Sequence, residues 1–260
     1  MRRLWVAAAT ICALAVPGAV AQARLIDDGT PTCQRIAVAA GDFDGSVRDV
    51  SATADLAKSL TPDVALIAGD IAYPDGSLAE LKAQFGASGW PDVAPLIPVP
   101  GNHDYRTADG ADYYSFFKVP TYYARDIGCG WRVYALNSEE SQAEQVRWVT
   151  EDLAANPDAN VIALWHRPRW SSGKHGDNAN VQPFVDAFAG RAEMFIWGHD
   201  HDFERGYTDG SSWFVVGTGG QGDGELTAAT AGSRRFRATP GVLRLELTDV
   251  SWTARFVAVP

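Results

Sequence analysis

Positive charge is in short supply in this chain. It has 22 lysines and arginines against 32 aspartates and glutamates, a formal charge of −10 over 260 residues. That balance argues against nucleic acid or an anionic membrane as a general partner, because both are bound through basic surfaces. An anionic substrate would need a concentrated local source of positive charge. The sequence also lacks internal repeats, long charge runs and low-complexity tracts, so nothing suggests disorder beyond a short leader and the turns. Long apolar runs are missing too. The one candidate, residues 4–16 behind Arg2 and Arg3, is too short to span a bilayer. With 46% hydrophobic residues, the chain has enough for one sizeable core, or at most two small ones.

The charged start, the apolar stretch and the small-x-small string Ala21-Gln22-Ala23 read as a signal peptide over residues 1–23. Ala19-Val20-Ala21 is an alternative cut site. Cys12 lies inside the leader without the small residue before it that a lipoprotein signal requires. Cleavage would remove two arginines and leave 20 basic against 32 acidic groups, a formal charge of −12. The product would be secreted or periplasmic, with no membrane anchor and one domain over residues 24–260. Cys33 and Cys129 survive cleavage, and export makes a disulfide possible. Each precedes a predicted strand, and sequence alone does not decide whether those strand starts are neighbours.

Apolar runs at 35–40, 64–68 and 96–99 read as buried strands, with helical spacing over 47–60 and a capping box at Ser77-Leu78-Ala79-Glu80 between them. Strand, helix, strand, helix, strand predicts a parallel sheet with its functional groups at the carboxyl ends. A hairpin is predicted over 122–126 and 131–137, and a second capping box at Ser141 opens a helix to about residue 155. Strands are expected at 161–165 and 194–197, a helix at 181–188, and further strands at 213–216, 242–247 and 252–259. The fold class is therefore α/β, two mixed sheets packed face to face with helices outside, a four-layer sandwich.

Each of the early strands ends on chemistry. The first two deliver Gly41-Asp42 and Gly69-Asp70; the third delivers Gly101-Asn102-His103. Later strands end at His166 and at Gly198-His199-Asp200-His201. All five histidines of the chain, His175 included, fall in such turns and none on the apolar face of a predicted helix. A single histidine is usually structural; five placed alike are not explained that way. Asp42, Asp70 and Tyr73 offer anionic oxygens suited to a hard, highly charged ion. His166 and His199 offer neutral nitrogens, and Asn102 a carbonyl, suited to a borderline divalent ion. That is material for two unlike metal sites sharing a carboxylate.

In this order and at these separations, Gly41-Asp42-Phe43-Asp44, Gly69-Asp70-Ile71-Ala72-Tyr73, Gly101-Asn102-His103-Asp104, Trp165-His166 and Gly198-His199-Asp200-His201 resemble the calcineurin-like metallophosphoesterases. The tyrosine three residues after Asp70 resembles the purple acid phosphatase branch. So do the stretches from His166 to Gly176 and from Gly198 to Arg205. The resemblance implies that Asp42, Tyr73 and His201 bind a first metal, ferric in that branch. Asn102, His166 and His199 would bind a divalent second metal (iron, zinc or manganese), and Asp70 would bridge the two. His103 and His175 match the outer-sphere histidines that contact the substrate phosphate and help protonate the leaving group. The implied reaction is hydrolysis of a small phosphomonoester by a metal-bound hydroxide. A phosphodiesterase on the same scaffold is the alternative, and an inactive phosphate- or metal-binding protein a third reading.

The branch usually carries glycine where this chain has Asp44, which could be a turn residue, an acceptor behind a ligand, or an extra ligand. Arg167, Arg169 and Lys174 form a basic cluster that could hold substrate or simply be solvated. Trp170, in the loop between two site histidines, is a candidate pocket wall. The glycines of 217–224 read as a turn near the site. Neither the natural substrate nor the oligomeric state is readable.

Overall fold

The computed structural model describes residues 31–220 and 224–260. The chain divides into Met1–Thr30 and Pro31–Pro260, and the leader expected over residues 1–23 lies outside the described residues. Among the described residues no helix is long and apolar enough to cross a membrane.

Three apolar runs become parallel strands: β1 (Gln34–Ala40), β2 (Val64–Ile67) and β3 (Leu96–Pro98). Between β1 and β2 runs α1 (Val47–Ser59), opened by Ser46 and Asp49 in a reciprocal capping box. Between β2 and β3 lie α2 (Leu78–Ala83) and α3 (Phe85–Ser88). The expected box at Ser77 and Glu80 is formed. Then come α4 (Ala111–Phe117), the hairpin β4 (Tyr123–Gly128) and β5 (Trp131–Ala135), and α5 (Gln142–Ala155). The capping box expected at Ser141 does not form: its side chain makes no cap hydrogen bond. Glu144 turns instead to Arg147, 3.6 Å away. The chain continues through β6 (Asn160–Leu164), α6 (Gln182–Ala187), β7 (Ala192–Trp197), β8 (Phe203–Thr208), β9 (Ser211–Val216), β10 (Ser233–Arg237), β11 (Gly241–Thr248) and β12 (Trp252–Ala258).

Two mixed sheets result, in the orders β12-β11-β1-β2-β3 and β10-β8-β9-β7-β6-β5-β4. Their facing sides bury Leu66, Ile97, Val133, Ile162, Ile196 and Leu245 in one apolar layer. The outer face of the first sheet packs Val38 and Ile67 against Val50, Phe85 and Trp90. The outer face of the second packs Trp165 and Trp197 against Val149 and Phe184. This is the expected four-layer α/β arrangement. A disulfide between Cys33 and Cys129, Cα atoms 5.4 Å apart, ties the amino end of β1 to the turn before β5 and so joins the two sheets.

Candidate metal centre

The carboxyl ends of β1, β2, β3, β6 and β7 place their turns side by side. Asp42, Asp70 and His199 adopt positive φ (55°, 49° and 74°), a conformation that side-chain-bearing residues rarely hold without compensation. The glycines around them are required by crowding. A Cβ on Gly101 would sit 2.2 Å from Asp70 Oδ1, and one on Gly198 2.4 Å from Asp42 Oδ2. Backbone amides aim the carboxylates: His103 N–H donates to Asp70 Oδ1 (2.7 Å) and His199 N–H to Asp42 Oδ2 (2.7 Å).

The other carboxylate oxygens face inward. Asp70 Oδ2 lies 3.2 Å from the Tyr73 hydroxyl and 3.3 Å from His166 Nε2. On one side the Tyr73 hydroxyl is also 3.3 Å from Asp42 Oδ1 and 3.2 Å from His201 Nε2. On the other side His166 Nε2 is 3.2 Å from Asn102 Oδ1 and 3.2 Å from His199 Nδ1. Seven side chains thus form two groups of donor atoms, with Asp70 between them. Asp70, His166 and His199 meet the geometric requirement for a shared cation by themselves.

The protonation chemistry of this cluster fits metal ions. His166 Nδ1 faces the Ala68 carbonyl at 2.8 Å, which can only accept, so Nδ1 carries the hydrogen and Nε2 faces the centre. Two of the neighbours of that nitrogen, Asn102 Oδ1 and Asp70 Oδ2, also only accept. A cation or a proton must lie among them. Without a metal the burden falls on protons: burial alone would lower the His166 pKa, but Asp70 beside it raises it to about 10. Burial pushes Asp42 up to about 7. The Tyr73 phenol is driven well above its usual value, by burial first and then by Asp42 and Asp70. A multivalent cation reverses each of these shifts.

The surrounding residues fall into place around the donors. His103 stacks on Tyr73, ring centroids 4.3 Å apart, and its Nδ1–H donates to the Pro74 carbonyl (2.6 Å). Its Nε2 lies 4.0 Å from Asp70 Oδ2 and 3.2 Å from Arg106 Nη2. His175 stacks on His199 at 4.2 Å. Burial lowers its pKa, against the opposing charge of Asp200. His175 lines a cavity of about 440 Å³ with Asp44, Lys174 and His201. Asp44 Oδ2 lies 3.9 Å from His201 Nδ1, the ring nitrogen turned away from Tyr73, so Asp44 stands behind a donor and not among the donors.

Asp104 is wholly buried and accepts from Gly101 N–H (2.8 Å) and Ile71 N–H (3.0 Å), tying the second and third turns together. The basic cluster divides. Arg167 holds Glu139 through its Nε–Nη2 edge and brings Nη1 to 3.3 Å from His199 Nε2, whereas Arg169 stacks on Trp170. Trp170 is not a pocket wall. It is 7% exposed and packs on Trp197 and Trp213 in the outer core. The start of the glycine turn lies beside the site, where a Cβ on Gly217 would meet Asp42 Oδ2 at 2.8 Å. Arg106 is the neighbour that sequence reading did not name; its only signal was its place three residues after His103.

The family model for calcineurin-like phosphoesterases matches residues 37–203, which contain every one of these donors. The chain belongs to that family. Its members are metallophosphoesterases that bind two metal ions, and Asp70, His166 and His199 are a group that could hold one. No curated protein sequence matches the chain. Among solved structures it is similar to a purple acid phosphatase from yellow lupin (Lupinus luteus) seeds, with TM-score 0.75 and 19% identity over 87% of this chain. That match spans 52% of the lupin protein, so the chain corresponds to about half of it. GAP50, the anchor in the inner membrane complex of Plasmodium, gives TM-score 0.72 and 15% identity over 87% of this chain and 85% of its own. PhoD gives TM-score 0.66 and 12% identity over 88% of this chain and 67% of its own. At these identities the likeness is one of fold.

Proposed function

We propose that this chain is an exported phosphatase that hydrolyses small phosphomonoesters with two metal ions, one ferric and one divalent (iron, zinc or manganese). The observation that carries the reading is the Tyr73 hydroxyl, within 3.3 Å of Asp42 Oδ1, Asp70 Oδ2 and His201 Nε2. One phenol hydrogen can serve only one of three such neighbours, whereas a phenolate on a highly charged ion suits the whole group. The fold likeness to a purple acid phosphatase supports the same branch. The Cys33–Cys129 disulfide supports an oxidising compartment, secreted or periplasmic.

Asp42, Tyr73 and His201 would hold the ferric ion, Asn102, His166 and His199 the divalent one, and Asp70 both. Bound there, the ions would supply Lewis acidity toward phosphoryl oxygens and acidify a water for attack at phosphorus. The chain's own groups do the rest. With Nδ1–H fixed on Pro74, His103 turns Nε2 toward the centre beside Arg106 Nη2, and there it could exchange a proton with a phosphoryl or leaving-group oxygen once that oxygen takes over the Arg106 contact. His175 presents its ring over His199 from the other side. Arg167, with its charge matched by Glu139, stands beside His199 as a further donor for an anionic oxygen.

The test compares p-nitrophenyl phosphate with bis(p-nitrophenyl) phosphate, with and without chelator. The proposal expects fast monoester turnover abolished by chelation and restored by metal. Preference for the diester would assign a phosphodiesterase, and no turnover of either in a fully metallated protein would make the chain a binding protein.

A further inference from the structure

The inward face of a sheet sandwich is normally apolar along its whole width. At one edge of this molecule it is not. β12 is the edge of the five-stranded sheet and β10 the edge of the seven-stranded one. Arg205 on β8 lies in register with Phe214, whose ring belongs to the layer between the sheets. Arg237 on β10 lies in register with Phe203 of that same layer. Directly paired residues of antiparallel strands share a face, so both arginines point to the inter-sheet side where the sandwich opens. Facing them across the gap are Ala254 and Phe256, with Arg255 on the rim.

The gap is a cavity of about 470 Å³, and Arg205, Phe214 and Ala254 also line a second of about 620 Å³ that adds Arg234 and Trp252. Such volumes are in the range of small-molecule sites. The floor is aromatic: Phe203 and Phe256 stack at 4.4 Å and 12°. Arg205, Arg234, Arg237 and Arg255 are all exposed, and among the described residues none of their guanidinium groups has an ion-pair or hydrogen-bond partner. Arg255 alternates with Ala254 and Phe256 and so reaches the cleft only at its rim, sharing the outer face of the sheet with Arg244, which pairs with Glu246. In a chain of net charge −10, three unpaired arginines in one aromatic cleft, with a fourth at its rim, are a concentration of charge that folding does not require.

We propose that this cleft is a second binding site, distinct from the metal centre, for a monomeric amphiphilic anion: a carboxylate on an elongated apolar body. The guanidinium groups match a carboxylate in charge and in bidentate geometry, and the aromatic floor takes the apolar body. Inward-pointing charges also protect sheet edges from pairing with other chains. That role needs neither a cavity nor an aromatic floor, and it is separable by experiment.

Calorimetry with decanoate below its micelle concentration tests the proposal on the whole protein. Saturable binding to one site is expected, with no binding of decyltrimethylammonium or inorganic phosphate at the cleft. The double variant Arg205→Gln/Arg237→Gln should weaken decanoate at least about tenfold, with turnover, metal content and thermal midpoint unchanged. Three results would overturn the proposal: decanoate binding that the double variant retains, binding that a chelator abolishes, or binding only to phosphatidylglycerol vesicles. A double variant that aggregates, beside a wild type that binds no decanoate, would leave the arginines as edge protection alone.

Discussion

The two ends of the sheets are built on opposite principles. At the carboxyl ends of the parallel strands, the carboxylates Asp42, Asp70 and Asp104 are buried together. Burial, with Asp70 beside it, pushes Asp104 up to about 8. At the amino ends, a disulfide joins the sheets and Arg35 pairs with Asp63 at 3.2 Å. Trp131 Nε1–H donates to the Thr248 carbonyl, and Arg132 holds Asp152 with two hydrogen bonds of 2.9 and 3.0 Å. One end concentrates unfavourable electrostatics that only cations relieve; the other is satisfied by its own partners. Damage to the first should therefore appear in metal content and rate, and damage to the second in stability.

The largest effect is expected at the residue shared by both donor groups. Asp70→Ala should bring turnover to the uncatalysed level and lose both metals, because among the described residues no other carboxylate lies between Tyr73 and His166. Full occupancy of both sites in the purified variant would show that Asp70 does not bridge. Next come His103→Ala and His175→Ala, expected to keep both metals while rates fall ~10²–10⁴-fold, the usual range for acid–base groups. Loss of metal from either would mean that a ligand has been misplaced.

The opposite end should respond in the other observable. Cys33→Ser opens a loop of sequence separation 96 and should cost roughly 2–5 kcal/mol of stability, with turnover at 25 °C unchanged. Denaturant titration checks the first expectation and a rate assay the second.

The smallest effect is the Arg132–Asp152 pair. Burial opposes the Asp152 charge, but the Arg132 and Tyr134 hydrogen bonds outweigh it and hold the carboxyl below its usual value. A depressed carboxyl contributes stability that is present above the unfolded pKa and lost as pH falls through the folded one. Asp152→Asn should thus cost about 1–2 kcal/mol above roughly pH 5, and the difference from wild type should shrink below pH 4. A difference independent of pH would remove the ion pair from the account.

The same contrast governs what could be read from the sequence. The site was legible because each parallel strand is a short apolar run that stops at Gly-Asp, Gly-Asn-His, or Trp-His, so the break in hydrophobicity marks the ligand. β8 and β10 were missed because Phe203–Thr208 and Ser233–Arg237 carry charge where a strand pattern would be apolar. Glu204, fully buried on the face of β8 opposite Phe203, is held there by donation from Ser172 N–H, Ser172 Oγ and Ser233 Oγ. α4 was missed because positive-φ Gly110, and not a side-chain cap, opens it. Trp170 was misplaced because sequence position cannot show which side of a loop faces the core. The Cys33–Cys129 bond stayed open for a related reason: it depends on how one sheet lies over the other, which no local pattern records.

The most direct measurement of the central claim, two unlike donor groups sharing Asp70, is the visible absorption spectrum of aerobically purified protein whose metals have been counted. A phenolate has a reference pKa of ~10 and the Tyr73 environment raises it further, so only a highly charged ion can bind it in mildly acidic solution. The account predicts two ions per chain, one of them iron, and a phenolate-to-iron(III) charge-transfer band that Tyr73→Phe abolishes while the fold stays intact. A colourless protein with both sites full, in which oxidants develop no band, would contradict it. The first donor group would then hold a divalent ion without Tyr73, and Asp44, behind His201, would become its candidate third ligand.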